Sequence, residues 1–352
     1  MQIPITGHPL HTRSLTLVVT TLQGGRWAAR GDVIDLRKCG FVPMTQGIQP
    51  AGVIHLMTLE VELDPGSRRL ESVQVAQPFV AVEPSEETGG ECCRDPVHRL
   101  QELVGQPLDG SFSKRLSGAF GGPLGCSHLL TLFHLMASAL PRALDLEEAL
   151  GEPRAAGDRF FRRSAFVEGF EAADGSIEYA IQLHDFQGRP GSMQRPVERL
   201  GRHDEVRVFA RVETPSLVVR ELRAAQRTRT PATLATAPFE ELKESLGGLV
   251  GEPVVPGMAR RVFAALGDGP KEALVRDALL QLAPGHIQVM AAVADRWFAM
   301  APSGARPRSA GGPEVATLGG FPDSCYMWRS EGVLQRARRG ALREGEREDE
   351  GA

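Results

Sequence analysis

The strongest constraint on this chain is an order of elements that occurs twice. Leu103-Val104-Gly105 returns as Leu249-Val250-Gly251, 146 residues on (249 − 103), and the same step carries Gly121 onto Gly267 without a gap. HRLQELVGQPLDGSFSKRLSGAFGG is answered by LKESLGGLVGEPVVPGMARRVFAALGDG, and each stretch follows a run of strand-like sequence. Self-similarity over this length points to tandem duplication of one domain. The competing reading is two unrelated domains that share turns by chance. A chain of 352 residues has room for two domains of about 150 residues each.

The first copy begins with period-two alternation. Leu15, Leu17 and Val19 share a face, a Gly24-Gly25 turn follows, and WAARGDVIDL (27–36) returns, so residues 13–36 read as a hairpin. In VIHLMTLEVELD (53–64), His55, Met57, Leu59, Val61 and Leu63 form the buried side, which puts His55 on the core side of a strand. A turn at Asp64–Ser67 leads to a strand at 70–77. Beyond residue 78 the period lengthens: VHRLQELVG and SFSKRLSGAF read as short helices. A stronger helix runs from Ser127 to Leu140, where Pro141 is expected to end it.

Strands followed by segregated helices define an α+β class. The expected organisation is a first α+β domain over 1–145, a linker at 146–160 and a degenerate second copy over 161–300. The strand pairs of that copy are read at 162–185 and 205–226. Residues 301–352 read as a low-complexity, mostly disordered charged tail, with a short element around CYMWRSEGVLQRA.

Composition narrows the partners. A net charge of −4 and no basic stripe outside the carboxy-terminal tail argue against nucleic acid. The N-terminal residues lack a signal-peptide pattern, and no apolar run approaches the roughly 18 residues of a membrane span. The expectation is therefore a cytoplasmic protein without a membrane partner. The five cysteines, at positions 39, 92, 93, 126 and 325, are odd in number and irregularly spaced, unlike a disulfide framework. In a reducing compartment they stay free for metal or redox chemistry.

The sharpest chemical signal is GGPLGCSHLL. Cys126 and His128 stand where a Gly-rich turn becomes a helix, whose positive end favours a thiolate. Cys92 and Cys93 end a loop just before another helix, and His55 faces inward. Three separate elements thus offer soft or imidazole ligands, the types that zinc or iron takes. With the 146-residue step, Cys126 falls on Glu272, His128 on Leu274, and Cys92-Cys93 on Pro238-Phe239. The second copy keeps the scaffold and drops the candidate ligands His55, Cys92, Cys93, Cys126 and His128. Cys39 and Cys325 stand alone in loop-like sequence and are given no role. His134, among Leu130, Phe133 and Leu135, reads as a packed core histidine.

At LHTR (10–13), the W…G…D hairpin (27–35), IHLMTLEVELD (54–64), ELVG (102–105) and GCSHL (125–129), residues 8–140 resemble a bacterial family known as domain of unknown function 2889. That family name implies a fold and no activity. The order of strands, cysteine and Cys-Ser-x-Leu helix is also similar, more remotely, to NifU-type iron–sulfur scaffold domains and to the NifU/SufE order. That resemblance implies metal ligation by His55 at an aspartate position, by Cys92 or Cys93, and by Cys126. One thiolate of the scaffold set is missing near Val53, and a short Gly-Cys-Gly turn is replaced by the 78–91 loop. Zinc or a single iron therefore fits better than an iron–sulfur cluster.

Three functions compete. One is a metal- or thiol-dependent protein built on His55, Cys92, Cys93, Cys126 and His128. Another is a non-catalytic accessory protein with a protein partner. The third is a cysteine-nucleophile enzyme using Cys126 with His55 or His98 as base.

Overall fold

The computed structural model describes residues 1–43, 48–191, 196–214, 216–242, 244–267, 269, 271–293 and 321–337. The remaining parts of the expected tail, 301–320 and 338–352, lie outside the described residues.

Long alternating segments form the strands the pattern predicts. The first four are β1 (His8–Thr21), β2 (Trp27–Pro43), β3 (Ile48–Asp64) and β4 (Arg69–Phe79). The next four are β5 (Arg159–Glu171), β6 (Ile177–Gly188), β7 (Leu200–Val212) and β8 (Val219–Arg229), and a short β9 (Glu240–Glu241) completes the set. All pair antiparallel in one sheet of order β4-β3-β2-β1-β5-β6-β7-β8-β9 among the described residues. The fold is α+β with a large antiparallel sheet. Both sets of strands belong to that single sheet, joined where β1 runs beside β5.

One face of the sheet is apolar and the other charged. Leu15, Leu17, Val19, Val33, Met57, Leu59 and Leu63 point inward and are fully buried. On the opposite face, Arg30 pairs with Asp32 and Glu60, so water solvates that side. The helices cover the apolar face: α1 (Phe112–Phe120), α2 (Ser127–Leu150), α3 (Met258–Leu266), α4 (Ala273–Leu280) and α5 (Leu282–Ala292). Of these, α2 packs on β2 and β3, α5 on β1, β2 and β5, and α4 on β6 and β7. Gly31 lets α2 approach closely, since a Cβ there would stand 2.9 Å from the Met136 sulfur and 3.0 Å from Leu132.

Pro141 does not end the helix. It lies inside α2, which runs on to Leu150 and stops at Gly151, whose positive φ of 65° suits a left-handed cap. Proline removes one helical hydrogen bond, but Leu140, Ala143 and Leu144 continue the buried stripe, and packing outweighs that local cost. Residues 146–150 of the expected 146–160 linker are thus helical. By length and composition α2 is apolar enough to cross a membrane; here half of its most apolar stretch is buried inside the protein. VHRLQELVG forms 3₁₀ turns (Asp95–Leu103) rather than an α-helix.

His286 on α5 is fully buried, and its Nδ1 lies 2.5 Å from the Tyr179 hydroxyl. Burial pushes it down to about 4 from an ordinary 6.5, so the fold holds it neutral. The unfolded chain then binds more protons between those values. The stability His286 contributes is complete above about pH 6.5 and is lost as pH falls toward 4. At pH 5 the loss is on the order of 2 kcal/mol. Urea unfolding of His286→Asn at pH 7 and pH 5 is expected to show a correspondingly smaller acid loss than the parent. An unchanged loss would show that burial does not control this group.

Candidate metal centre

Strand register builds the site. On β1 the inward positions continue from Leu15 back to Arg13 and His11; on β2 they run from Val33 to Asp35 and Arg37; on β3 they begin at His55. Arg13 lies directly across from Asp35, Asp35 across from His55, and His11 across from Arg37. Five polar side chains therefore cluster at one end of an otherwise apolar face, and all five are nearly or fully buried. His128 comes down on them from the first turn of α2. The turn before it is tight: a Cβ on Gly125 would fall 2.2 Å from the Phe120 carbonyl oxygen, so only glycine fits. Cys126 is then the N-cap of α2.

Asp35 is the hub. Its Oδ2 lies 3.2 Å from His128 Nε2, 3.7 Å from His55 Nδ1 and 3.3 Å from Arg13 Nη1. Its Oδ1 lies 3.7 Å from His11 Nε2. The rings of His55 and His128 face each other with centroids 3.7 Å apart. None of these imidazole nitrogens makes a well-aligned hydrogen bond: His55 Nδ1, His128 Nε2 and both nitrogens of His11 are buried without a partner. His128 Nε2 is close enough to Oδ2 but off the direction a hydrogen bond needs. Such orphaned groups are rare in protein interiors and call for an explanation.

Charge follows burial. Burial alone would raise the Asp35 carboxyl, but Arg13, then His128 and His11, outweigh it and hold the group ionised well below the usual carboxylate range. Burial pushes His55 well below its ordinary value, aided by His128, and Asp35 only partly opposes it. Burial likewise lowers His128 against the pull of Asp35, and lowers His11 to about 4. One anionic oxygen thus faces two neutral imidazoles.

Asp35, His55 and His128 each present a ligand atom, all within 4.8 Å of one another. Two ligands about 2.1 Å from a tetrahedral ion stand about 3.4 Å apart, and the two Asp35 separations of 3.2 and 3.7 Å bracket that spacing. Two imidazoles and a carboxylate form a zinc-like ligand set, consistent with a divalent metal site.

The expected cysteines take other places. Cys92 donates its thiol to Asp95 Oδ1 at 3.2 Å, within its own loop. Cys93 lines the cavity above the histidines, together with Cys126 and Cys325. Cys126 Sγ lies 3.9 Å from His128 Nδ1 and 3.8 Å from the Met57 sulfur. No cysteine joins the metal-type cluster among the described residues. Cys325, given no role from sequence, sits on the cavity wall because residues 321–337 fold back over the first half. Tyr326 N bonds to Gly125 O at 2.8 Å, and Met327 and Leu334 pack on Val82. His134 meets Ser117 Oγ at 3.3 Å, away from the cluster.

The helix end does not activate Cys126, because burial outweighs it and pushes the thiol up to about 12 from 9.0. About a thousandfold less thiolate then forms at neutral pH than from an ordinary thiol. Alkylation of Cys126 by iodoacetamide at pH 8, followed by peptide mass spectrometry, is expected to be at least about a hundredfold slower than that of a free thiol. Rapid labelling would restore the nucleophile reading.

Sequence reasoning missed Asp35, His11 and Arg13 as site members. The signal was present in the alternation: each is a charged or polar residue at an inward position of its strand, and each ends or lies within the LHTR and W…G…D motifs.

The second half carries a related row. Arg163 faces Asp185 across β5 and β6 at the same separation of 22 residues as Arg13 and Asp35. Arg163 grips Asp185 through Nε and Nη2, both at 2.7 Å, and bonds Asp277 through Nη1 at 2.7 Å. Asp204 stands across from Asp185, where the first half has His55, and Arg142 bonds both aspartates.

Residues 11–141 match the family described as Protein of unknown function (DUF2889). The matched segment contains every member of the cluster, from His11 to His128. No curated protein matches the chain.

Proposed function

We propose that Asp35, His55 and His128 hold one zinc or iron ion, and that this ion serves chemistry on a small molecule in the adjoining cavity. The observation that carries the reading is the convergence of three buried ligand atoms whose imidazole nitrogens lack hydrogen-bond partners. A polar cluster of this kind is costly in a core unless something satisfies it. Three protein ligands leave a coordination position open, the arrangement of catalytic rather than structural zinc sites. His55 and His128 line a cavity of about 290 Å³ on which that position would open. The nitrogen and oxygen donors suit a single zinc or iron(II); an iron–sulfur cluster would call for thiolates, and no cysteine joins the cluster among the described residues.

In this reading the chain is a tandem duplication, and the second half is a structural copy. The paired elements support it: α1 and α3 are both nine residues long and 146 apart (258 − 112), and the N-caps Cys126 and Glu272 keep that step. The Arg–Asp pair is kept, Asp204 stands where the first half has His55 and is bonded by Arg142, and Leu274 takes the place of His128. Elemental analysis of protein purified without added metal, compared with the Asp35→Ala and His128→Ala variants, tests the centre.

A further inference from the structure

The cavity over the histidines has a charge pattern that the metal reading does not use. Arg13 and Arg37 are the formally charged side chains among the described residues of its wall, and no carboxylate lines it. Most of the remainder is apolar, with Val42 and Ile54 on one side and Ala283, Ile287 and Met327 on the other. Arg37 is occupied, donating to the Gln49 carbonyl at 2.7 Å and to its side-chain oxygen at 3.1 Å. Arg13 is not. Its Nη1 makes long contacts to Asp35 at 3.3 and 3.4 Å, whereas Nε and Nη2 are buried with no partner.

Nε and Nη2 are the side edge of a guanidinium, the fork that accepts a carboxylate in parallel bonds. The second half shows that edge in use: Arg163, at the equivalent place, closes it on Asp185 at 2.7 Å twice over. In the first half, Asp35 is turned toward the histidines, and the edge of Arg13 is left unclaimed. The same guanidinium edge therefore holds a carboxylate in one half and none in the other.

We infer that the cavity takes a small carboxylic acid with an apolar body. Its carboxylate is gripped by the side edge of Arg13, after a small turn of the guanidinium into the cavity it lines. Its body lies between Ile54 and Ile287, above His55 and His128. A cavity of about 290 Å³ limits the body to the size of a single aromatic ring or a short acyl chain. The inference rests on reading the His55–His128 floor as the working metal centre, whose open position the acid would approach.

The test titrates the full chain, both zinc-loaded and stripped with EDTA, with sodium benzoate, benzamide and inorganic phosphate by calorimetry. Benzoate is expected to bind at least about tenfold more tightly than its neutral isostere benzamide, and more tightly than phosphate. Arg13→Gln should remove that preference while leaving benzamide unchanged, and Ala283→Phe, which fills the cavity, should weaken both. Equal affinity for benzoate and benzamide, or stronger binding of phosphate, overturns the assignment. So does benzoate binding that survives Ala283→Phe. If Arg13→Gln fails to fold, the comparison of the three ligands on the parent and on Ala283→Phe still decides. Metal analysis of the same samples separates the two readings. Benzoate preference in a protein that never holds metal leaves the acid site standing and the metal centre refuted; a loaded centre without that preference does the reverse.

Discussion

Protein purified without added metal and dialysed free of loosely held ions is expected to contain about one zinc or iron per chain. Asp35→Ala, His55→Ala and His128→Ala should each lose it. Outer-shell changes at metal sites cost roughly 10–100-fold in affinity, and removing one of only three protein ligands should exceed that. Asp35→Ala should have the largest effect, because Asp35 supplies the only anionic ligand and also faces both histidines. Cys126→Ser and Cys92→Ser should keep the metal, since Cys126 Sγ stands outside the cluster and Cys92 is turned to Asp95. Binding to the folded form alone also stabilises it, by about 4 kcal/mol when free metal is a thousandfold above its dissociation constant. Thermal unfolding with EDTA and with added zinc should therefore differ by several degrees in the parent and not in His128→Ala. Full metal content in all three ligand variants, or loss in Cys126→Ser alone, would return the site to the cysteines.

Arg163→Met is expected to be the most damaging substitution in the second half, costing about 3–5 kcal/mol. Arg163 is 1% exposed and is bonded to two buried carboxylates. Burial works against its charge, but Asp185 and Asp277 hold the guanidinium protonated. Burial has already raised the Asp277 carboxyl, which Arg163 pulls back down. Without the arginine, Asp277 keeps Ser138 and the more distant charge of Arg276, and Asp185 keeps Arg142, among the described residues. The large cost comes from stranding these charges rather than from a strongly favourable network. Arg163→Met combined with Asp185→Asn and Asp277→Asn should therefore recover much of the loss, as replaced buried ion networks often do. Urea unfolding of the single and triple variants measures both. A single variant within 1 kcal/mol of the parent would mean that water or backbone solvates the aspartates. Metal content should be unchanged in either variant, because the network belongs to the other half of the sheet.

Several particulars were legible in the sequence. Period-two alternation placed β1, β2, β3 and β4 and put His55 on the inward face, because strand side chains have no choice but to alternate. Cys126 was legible as the start of a helix, from the glycines before it and the apolar periodicity after it. The three-way meeting of Asp35, His55 and His128 was not. It depends on the register between β2 and β3 and on where α2 lands on the sheet, and neither is written in any local stretch of residues. Cys325 was unreadable for the same reason, as it reaches the cavity only because residues 321–337 fold back onto Gly125 and Val82.

Two local rules were also overruled by packing. Pro141 sits inside a helix because the apolar stripe continues past it, and Cys126 keeps its proton because burial outweighs the helix end. Sequence by itself determined an α+β chain, a strand face bearing His55, and a helix opening on Cys126 and His128. Only the tertiary structure decided that the partner of those histidines is Asp35 rather than a cysteine. The physical reason is that hydrogen-bonded register sets which side chains stand opposite one another, and burial then sets which of them carries charge.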